Sequence, residues 1–214
     1  MSKDKNIPFP VEADDITEYR PKYKERARIA IWVGHSDEDE GAESPRTHLS
    51  EFDYNSPVAK ALAEHLKAQG IAVDVYRRDK WGQFNAMLAE TNQRHEDWGY
   101  DLGISLHLNC YNTRASGTEV LFWHRSNNGR QLATQLLGPI TELFDLPTRG
   151  IKPLKKYERA WFIVGKTKPV WCIIEGAFID NPKDEMRLRM EQDNYDEAIV
   201  EGIIEYLRMK GKNI

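Results

Sequence analysis

The chain has 214 residues, of which 40% are hydrophobic and 30% charged, enough for one domain with a full core. Its net charge of −4 and pI near 5.9 argue against nucleic acid as a partner, because phosphate binding takes a basic face. No stretch approaches the roughly 18 apolar residues of a membrane span, and Met1-Ser2-Lys3-Asp4-Lys5-Asn6-Ile7-Pro8 lacks the apolar core of a secretory signal. Cytoplasmic synthesis without a signal peptide, and no membrane insertion, are therefore expected.

Residues 1–27 are polar, with Pro8, Pro10 and Pro21, and read as an extended arm ahead of a single domain at 28–214. Arg28–Val33 is the first strand and stops at Gly34-His35. The acidic stretch Ser36–Ser50 shows no period, and structureless loops that long tend to be functional. Val58, Leu62 and Leu66 recur at helical spacing, with Pro57 suited to the first turn, Asn55 or Ser56 as cap and Gly70 as stop. Ile71–Tyr76 alternates as a strand. Trp81, Phe84 and Leu88 mark a second helix, which the polar segment to Tyr100 extends. Strands at Asp101–Leu108 and Thr118–Trp123 precede a helix at Asn128–Phe144. Arg149–Tyr157 reads as a Gly- and Lys-containing loop, followed by the short apolar segment Trp161–Val164. The run Pro169–Ile174 reads as a strand buried on both faces that ends in Glu175, with Asp180-Asn181-Pro182 as a stop. A last helix spans Asn194–Met209.

Strands alternating with helices give an α/β fold, a single domain with a mainly parallel or mixed central sheet flanked by helices. Cys110 and Cys172 fit no metal-knuckle spacing and read as two buried thiols of a protein made in a reducing compartment. The six Trp and nine Tyr are generous. Most suit core or rim, and the remainder could line a carbohydrate or peptide groove.

Three strands close on His35, His107 and Glu175, and in such sheets the strand ends gather on one edge. Two imidazoles need a third protein ligand to hold a catalytic zinc, and two His with one carboxylate is a zinc-hydrolase set. Glu43, Glu51 and Asp53 are candidates for the third. His48 and Glu51 also form a His-x-x-Glu pair, which shares one face of a helical turn.

Taken in order, these segments resemble the zinc-dependent N-acetylmuramoyl-L-alanine amidases of the type 3 catalytic class. The resemblance rests on Gly34-His35 followed by an acidic loop reaching Gly41-Ala42, and on Glu51 just before the first helix. It continues through Arg77 at a strand end, Ser105-Leu106-His107-Leu108-Asn109, Gly117-Thr118-Glu119-Val120, Arg149-Gly150-Ile151-Lys152, and Pro169 to Pro182. It spans about residues 28 to 207. Trp32-Val33 and Ser36 depart from the common pattern, and the acidic loop is heavier than usual, which bears on loop geometry and substrate preference. The resemblance implies one zinc on His35, Glu51 and His107, with Glu175 as the catalytic carboxylate. Asn109 and Arg149 are candidate substrate contacts; Asn109 could instead hold the strand-end loop, and Arg149 could neutralise the acidic loop. Glu119 could stand behind a ligand histidine or face solvent. The resemblance also implies peptidoglycan as substrate and a role as a phage or prophage lysin or in wall recycling; a monomer is expected. A zinc carboxypeptidase-like enzyme using His48, and an inactive wall-binding module, are the alternatives.

Overall fold

Strand β1 (Arg28–Ser36) is apolar on both faces, as a central strand must be when helices cover both sides of a sheet. Ile29, Ile31 and Val33 enter one buried cluster, while Ala30 and Trp32 enter a second on the opposite face. The structure, a computed structural model, describes residues 26–78 and 83–214. The expected arm up to residue 25, and Trp81 of the second helix, lie outside the described residues.

Strands β2 (Ala72–Arg78), β3 (Leu102–Asn109), β4 (Thr118–Trp123), β5 (Thr148–Leu154) and β6 (Trp171–Phe178) complete a six-stranded sheet ordered β2-β1-β3-β6-β4-β5. β1 is parallel to β2 and β3, β3 to β6, and β4 to β5, while β4 runs antiparallel to β6. The sheet is therefore mixed. The chain leaves β1 toward β2, then returns to lay β3 on the other side of β1. In open α/β sheets such a reversal opens a crevice beyond the carboxyl ends of the strands. His35 and His107 lie near those two ends.

Helices α1 (Glu51–Ala68), α3 (Asn127–Phe144) and α6 (Tyr195–Met209) cover one face. Their apolar rows include Leu62 and Leu66, Leu132 and Leu136, and Ile199 and Ile203. Helices α2 (Phe84–Trp98) and α4 (Trp161–Lys166) cover the other, around Trp32 and Trp171, whose rings stand 4.6 Å apart. No helix among the described residues is long and apolar enough to cross a membrane.

Four expectations are corrected. α1 starts at Glu51, not near Pro57, because Ser50 caps it by accepting the Asp53 N–H at 3.1 Å; Pro57 lies inside the helix. Arg149–Tyr157 is not a loop throughout. β5 occupies most of it as an edge strand, where Pro153 costs no ladder bond on the open side. Asp180-Asn181-Pro182 does more than stop a strand, since Asn181 caps α5 (Pro182–Met190) with Pro182 in its first turn. Cys110 is exposed, because β3 ends at Asn109 and the chain turns outward there; Cys172 is buried, and both thiols are free.

Candidate metal centre and its carboxylates

Three side chains meet in the crevice beyond β1 and β3. Glu51, the first residue of α1, is 3% exposed. One of its oxygens accepts the Ala42 N–H at 3.0 Å. The other accepts the Leu108 N–H at 3.0 Å and stands 3.3 Å from His35 Nε2 and 3.4 Å from His107 Nδ1. A helix N-terminus favours the negative charge held there. The acidic loop is bonded onto this start, with Glu51 N–H to the Ala42 carbonyl at 2.9 Å and Phe52 N–H to the Glu40 carbonyl at 3.1 Å.

The backbone aims both rings. The β1–β2 register shifts between Trp32 and Ser36, and His35 has φ 64. A bulge of this kind turns a side chain off the strand's alternation. A Cβ on Gly34 would stand 2.4 Å from the Leu106 carbonyl oxygen and 2.7 Å from the His107 ring, and one on Gly41, at φ +80, would stand 2.6 Å from the His35 ring. Hydrogen at these two positions lets backbone close against the imidazoles.

Burial would raise the Glu51 pKa, but the hydrogen bonds and charges of His107 and His35 prevail and hold it well below the carboxylate range. Burial would likewise lower His35, and Glu51 with Asp39 raises it overall. His35 Nδ1 is buried without a hydrogen-bond partner. Four-coordinate zinc with ligands near 2.1 Å separates neighbouring ligand atoms by about 3.4 Å. Both histidine-to-Glu51 separations match that figure, and the ligand atoms of the three residues lie within 4.8 Å of one another. The donors present fit one zinc ion, with a fourth position left over.

Glu175 faces His107 across β3–β6 and Glu119 across β4–β6. In-register neighbours share a sheet face, so His107, Glu175 and Glu119 form one row. Glu175 lies within β6 rather than at its end, since the strand continues to Phe178. Its Oε2 is shut away from solvent with no hydrogen-bond partner. Burial first, then the charges of Glu51 and Glu119, push its carboxyl well above the usual range, with Arg159 opposing.

The structure sorts the remaining candidates. Glu119 accepts the Asn109 amide at 2.9 Å and the Arg149 Nε–H at 2.9 Å, and the Arg149 guanidinium lies over the Phe178 ring at 4.9 Å. Arg149 therefore answers Glu119, while Arg77 meets the acidic loop at Asp37, 2.5 Å away. His48 is exposed and bonded to Glu43, and Asp53 is exposed at the surface of α1.

Sequence reasoning missed the backbone donors of Ala42 and Leu108, which leave no mark in side-chain identity. It also missed Asp184, which is fully buried and accepts from Ser116 Oγ at 2.6 Å, Gly117 N–H at 2.9 Å and Phe178 N–H at 3.0 Å. Asp180 likewise accepts the Tyr111 and Thr113 N–H groups, so both aspartates fasten the turn that follows β3. The Asn181-Pro182 pair, a helix-start signature, was the available signal for this corner.

A family model described as N-acetylmuramoyl-L-alanine amidase matches residues 29–205. The catalytic domain of the CD27L endolysin targeting Clostridia Difficile is 30% identical, with a TM-score of 0.70, over 88% of this chain and 99% of that one. The N-acetylmuramoyl-L-alanine amidase from Clostridium difficile 630 is 26% identical, with a TM-score of 0.74, over 86% of this chain and 98% of that one. A curated Bacillus subtilis (strain 168) relative, the uncharacterized protein YqiI, is 29% identical over 185 residues, 83% of this chain and 84% of its own length.

Proposed function

The chain belongs to the N-acetylmuramoyl-L-alanine amidase family, and from that premise we propose that it cuts the amide between the lactyl group of N-acetylmuramic acid and the L-alanine of the stem peptide, using one zinc ion on His35, Glu51 and His107. The observation that carries this reading is the convergence of those three ligand atoms with Glu175 in register beside His107. Zinc held by such a set supplies an acidified water and polarises the amide carbonyl.

The chain's own residues supply the rest. Glu51 stays ionised and balances part of the metal's charge, while its two backbone donors fix its oxygens. Glu175 takes the proton from the attacking water and delivers it to the departing amine, as general base and then acid. A carboxyl whose pKa is raised by burial and by like charges suits that exchange. Glu119 holds Asn109 and Arg149, which we read as substrate contacts.

The biological role we assign is lysis of the cell wall by a phage or prophage lysin, supported by the likeness to the CD27L catalytic domain. The carboxypeptidase-like alternative needs His48 as a ligand, and its exposed pairing with Glu43 disfavours that. An inactive wall-binding module would have no use for a complete ligand set. Mass spectrometry of peptidoglycan digested by the chain is the test. Stem peptides released with a free L-alanine amino group support the amidase. Released C-terminal amino acids favour the carboxypeptidase, and binding without products by zinc-loaded protein favours the inactive module.

A further inference from the structure

From Arg149 to Lys168 inclusive stand seven Lys or Arg and one acid, Glu158, in a chain whose net charge is −4. Arg149 is paired with Glu119 and Lys168 with Glu96. Among the described residues, no carboxylate forms an ion pair with Lys155, Lys156 or Arg159, all of them exposed. Aromatic rings interleave with these cations. Tyr157 is 82% exposed, with Lys156 Nζ 4.9 Å from its ring centre. Trp161 stands 6.0 Å from Tyr157 and 6.3 Å from Trp123.

The segment lies across the sheet face that carries His107, Glu175 and Glu119. Glu119, Leu121 and Trp123 share a face of β4 by alternation, as do Trp171, Ile173 and Glu175 of β6. Ala160, Trp161, Ile163 and Val164 pack in one cluster with Leu121, Trp123, Trp171 and Ile173. That packing leaves the two glutamates at the rim of the covered area. Arg159 directly precedes Ala160, and its charge is felt at Glu175 and at Cys110. Tyr157 at φ 76 and Ala160 at φ 63 hold a left-handed backbone that favours glycine, and such residues cluster where a loop serves a site.

Resting on the amidase reading, we infer that Lys155–Trp161 is the wall of the cleft that recognises the stem peptide. Arg159 pairs a peptide carboxylate beside the scissile amide, and Tyr157 and Trp161 cover the peptide's apolar surface. Charge decides between the two halves of the substrate: a strand of N-acetylated sugars is neutral, whereas the peptide bears carboxylates. Cations without carboxylate partners, set beside exposed aromatic rings, complement the second.

The test compares the full-length zinc-loaded chain with Arg159→Gln on two probes: a disaccharide-peptide with free peptide carboxylates, and the same molecule with those carboxylates amidated. On the free-acid probe, Arg159→Gln is expected to raise KM about tenfold, the loss of one charge-assisted contact. On the amidated probe the KM values of the two proteins are expected to agree within about twofold, while any change in kcat through Glu175 is common to both probes. Tyr157→Ala is expected to raise KM on both probes. An equal rise in KM on both probes for Arg159→Gln, or no rise on either, overturns the inference. So does protection by a phosphate-bearing wall polymer that exceeds protection by the stem peptide. Wild-type turnover reads the amidase assignment separately. If neither probe is cut, Kd values for the same four protein–probe pairs, measured by calorimetry, decide the inference through the same ratio.

Discussion

The start of α1 and the middle of β6 each bury a glutamate, and the two regions treat the same carboxyl in opposite ways. Around Glu51, two backbone N–H groups and two imidazoles converge, and the carboxyl is held ionised. Around Glu175, in register with His107, one oxygen is buried without a partner, and burial with the charges of Glu51 and Glu119 outweighs Arg159 and raises its pKa. The difference teaches that burial alone assigns no role. Donors and positive charge suit a buried carboxylate to the ligand role proposed for Glu51, whereas burial among further carboxylates suits one to the proton transfer proposed for Glu175.

The comparison breaks most visibly if both glutamates turn out to do one job. Glu51→Ala or His107→Ala is expected to remove both zinc and activity, read as metal per chain by elemental analysis and as amine release from peptidoglycan. Glu175→Gln is expected to keep one zinc per chain and to lose roughly 10²–10⁴-fold in rate. If Glu175→Gln also lost its metal, Glu175 would belong to the ligand set and the contrast between the regions would fall. A smaller effect tests the scaffold. Gly34→Ala places a methyl 2.4 Å from the Leu106 carbonyl oxygen and against the His107 ring. Overpacking of that kind costs about 1–3 kcal/mol, so thermal melting should drop and zinc should bind more weakly, with Glu175 untouched.

How far the sequence carried the reading differs between the same two regions. The strands were legible because β1 and β6 are apolar on both faces, and Gly34-His35 and Ser105-Leu106-His107 mark where two of them approach the crevice. Glu51 was one of three acidic candidates by residue type, and the family resemblance singled it out. The reason it differs from Glu43 and Asp53 lies in the backbone, where Ala42 and Leu108 offer amides that no side-chain pattern announces. Glu175 stood out as a charge after an apolar run. Its opposition to Glu119 came from the antiparallel pairing of β4 with β6, a non-local register that a single chain's periodicity does not encode. β5 escaped because an edge strand need not alternate, and Pro153 and Gly150 made it look like a loop.

A third buried glutamate sharpens the contrast without any metal. Glu185 of α5 is 1% exposed and accepts from Thr47 Oγ1 at 2.9 Å and from Arg46. Burial would raise its pKa, but those hydrogen bonds and the charges of Arg46 and Arg189 lower it overall. A carboxyl depressed in the folded state stabilises above its unfolded pKa, about 4.3, and that contribution is lost as pH falls through the lower folded value. Glu185→Gln is therefore expected to cost about 1–2 kcal/mol at neutral pH, and the gap to wild type should narrow in melts taken below about pH 4. A gap that widened on acidification would mean that Glu185 behaves like Glu175 rather than like Glu51.

The smallest expected effect is the most discriminating for the ligand set. His48 and Glu51 have the spacing of a zinc pair, so an enzyme built on them would share Glu51 with the arrangement described above. In the fold, His48 is exposed, bonded to Glu43, and holds a left-handed backbone at φ 58. Asparagine tolerates that conformation, so His48→Asn removes the imidazole without straining the turn. Loss of an exposed pair is worth at most about 1 kcal/mol, and zinc content and amidase rate should match wild type. A variant that lost its zinc would move the metal from the His35–Glu51–His107 crevice to the loop. The backbone amides on Glu51 would then serve only to hold that loop against α1.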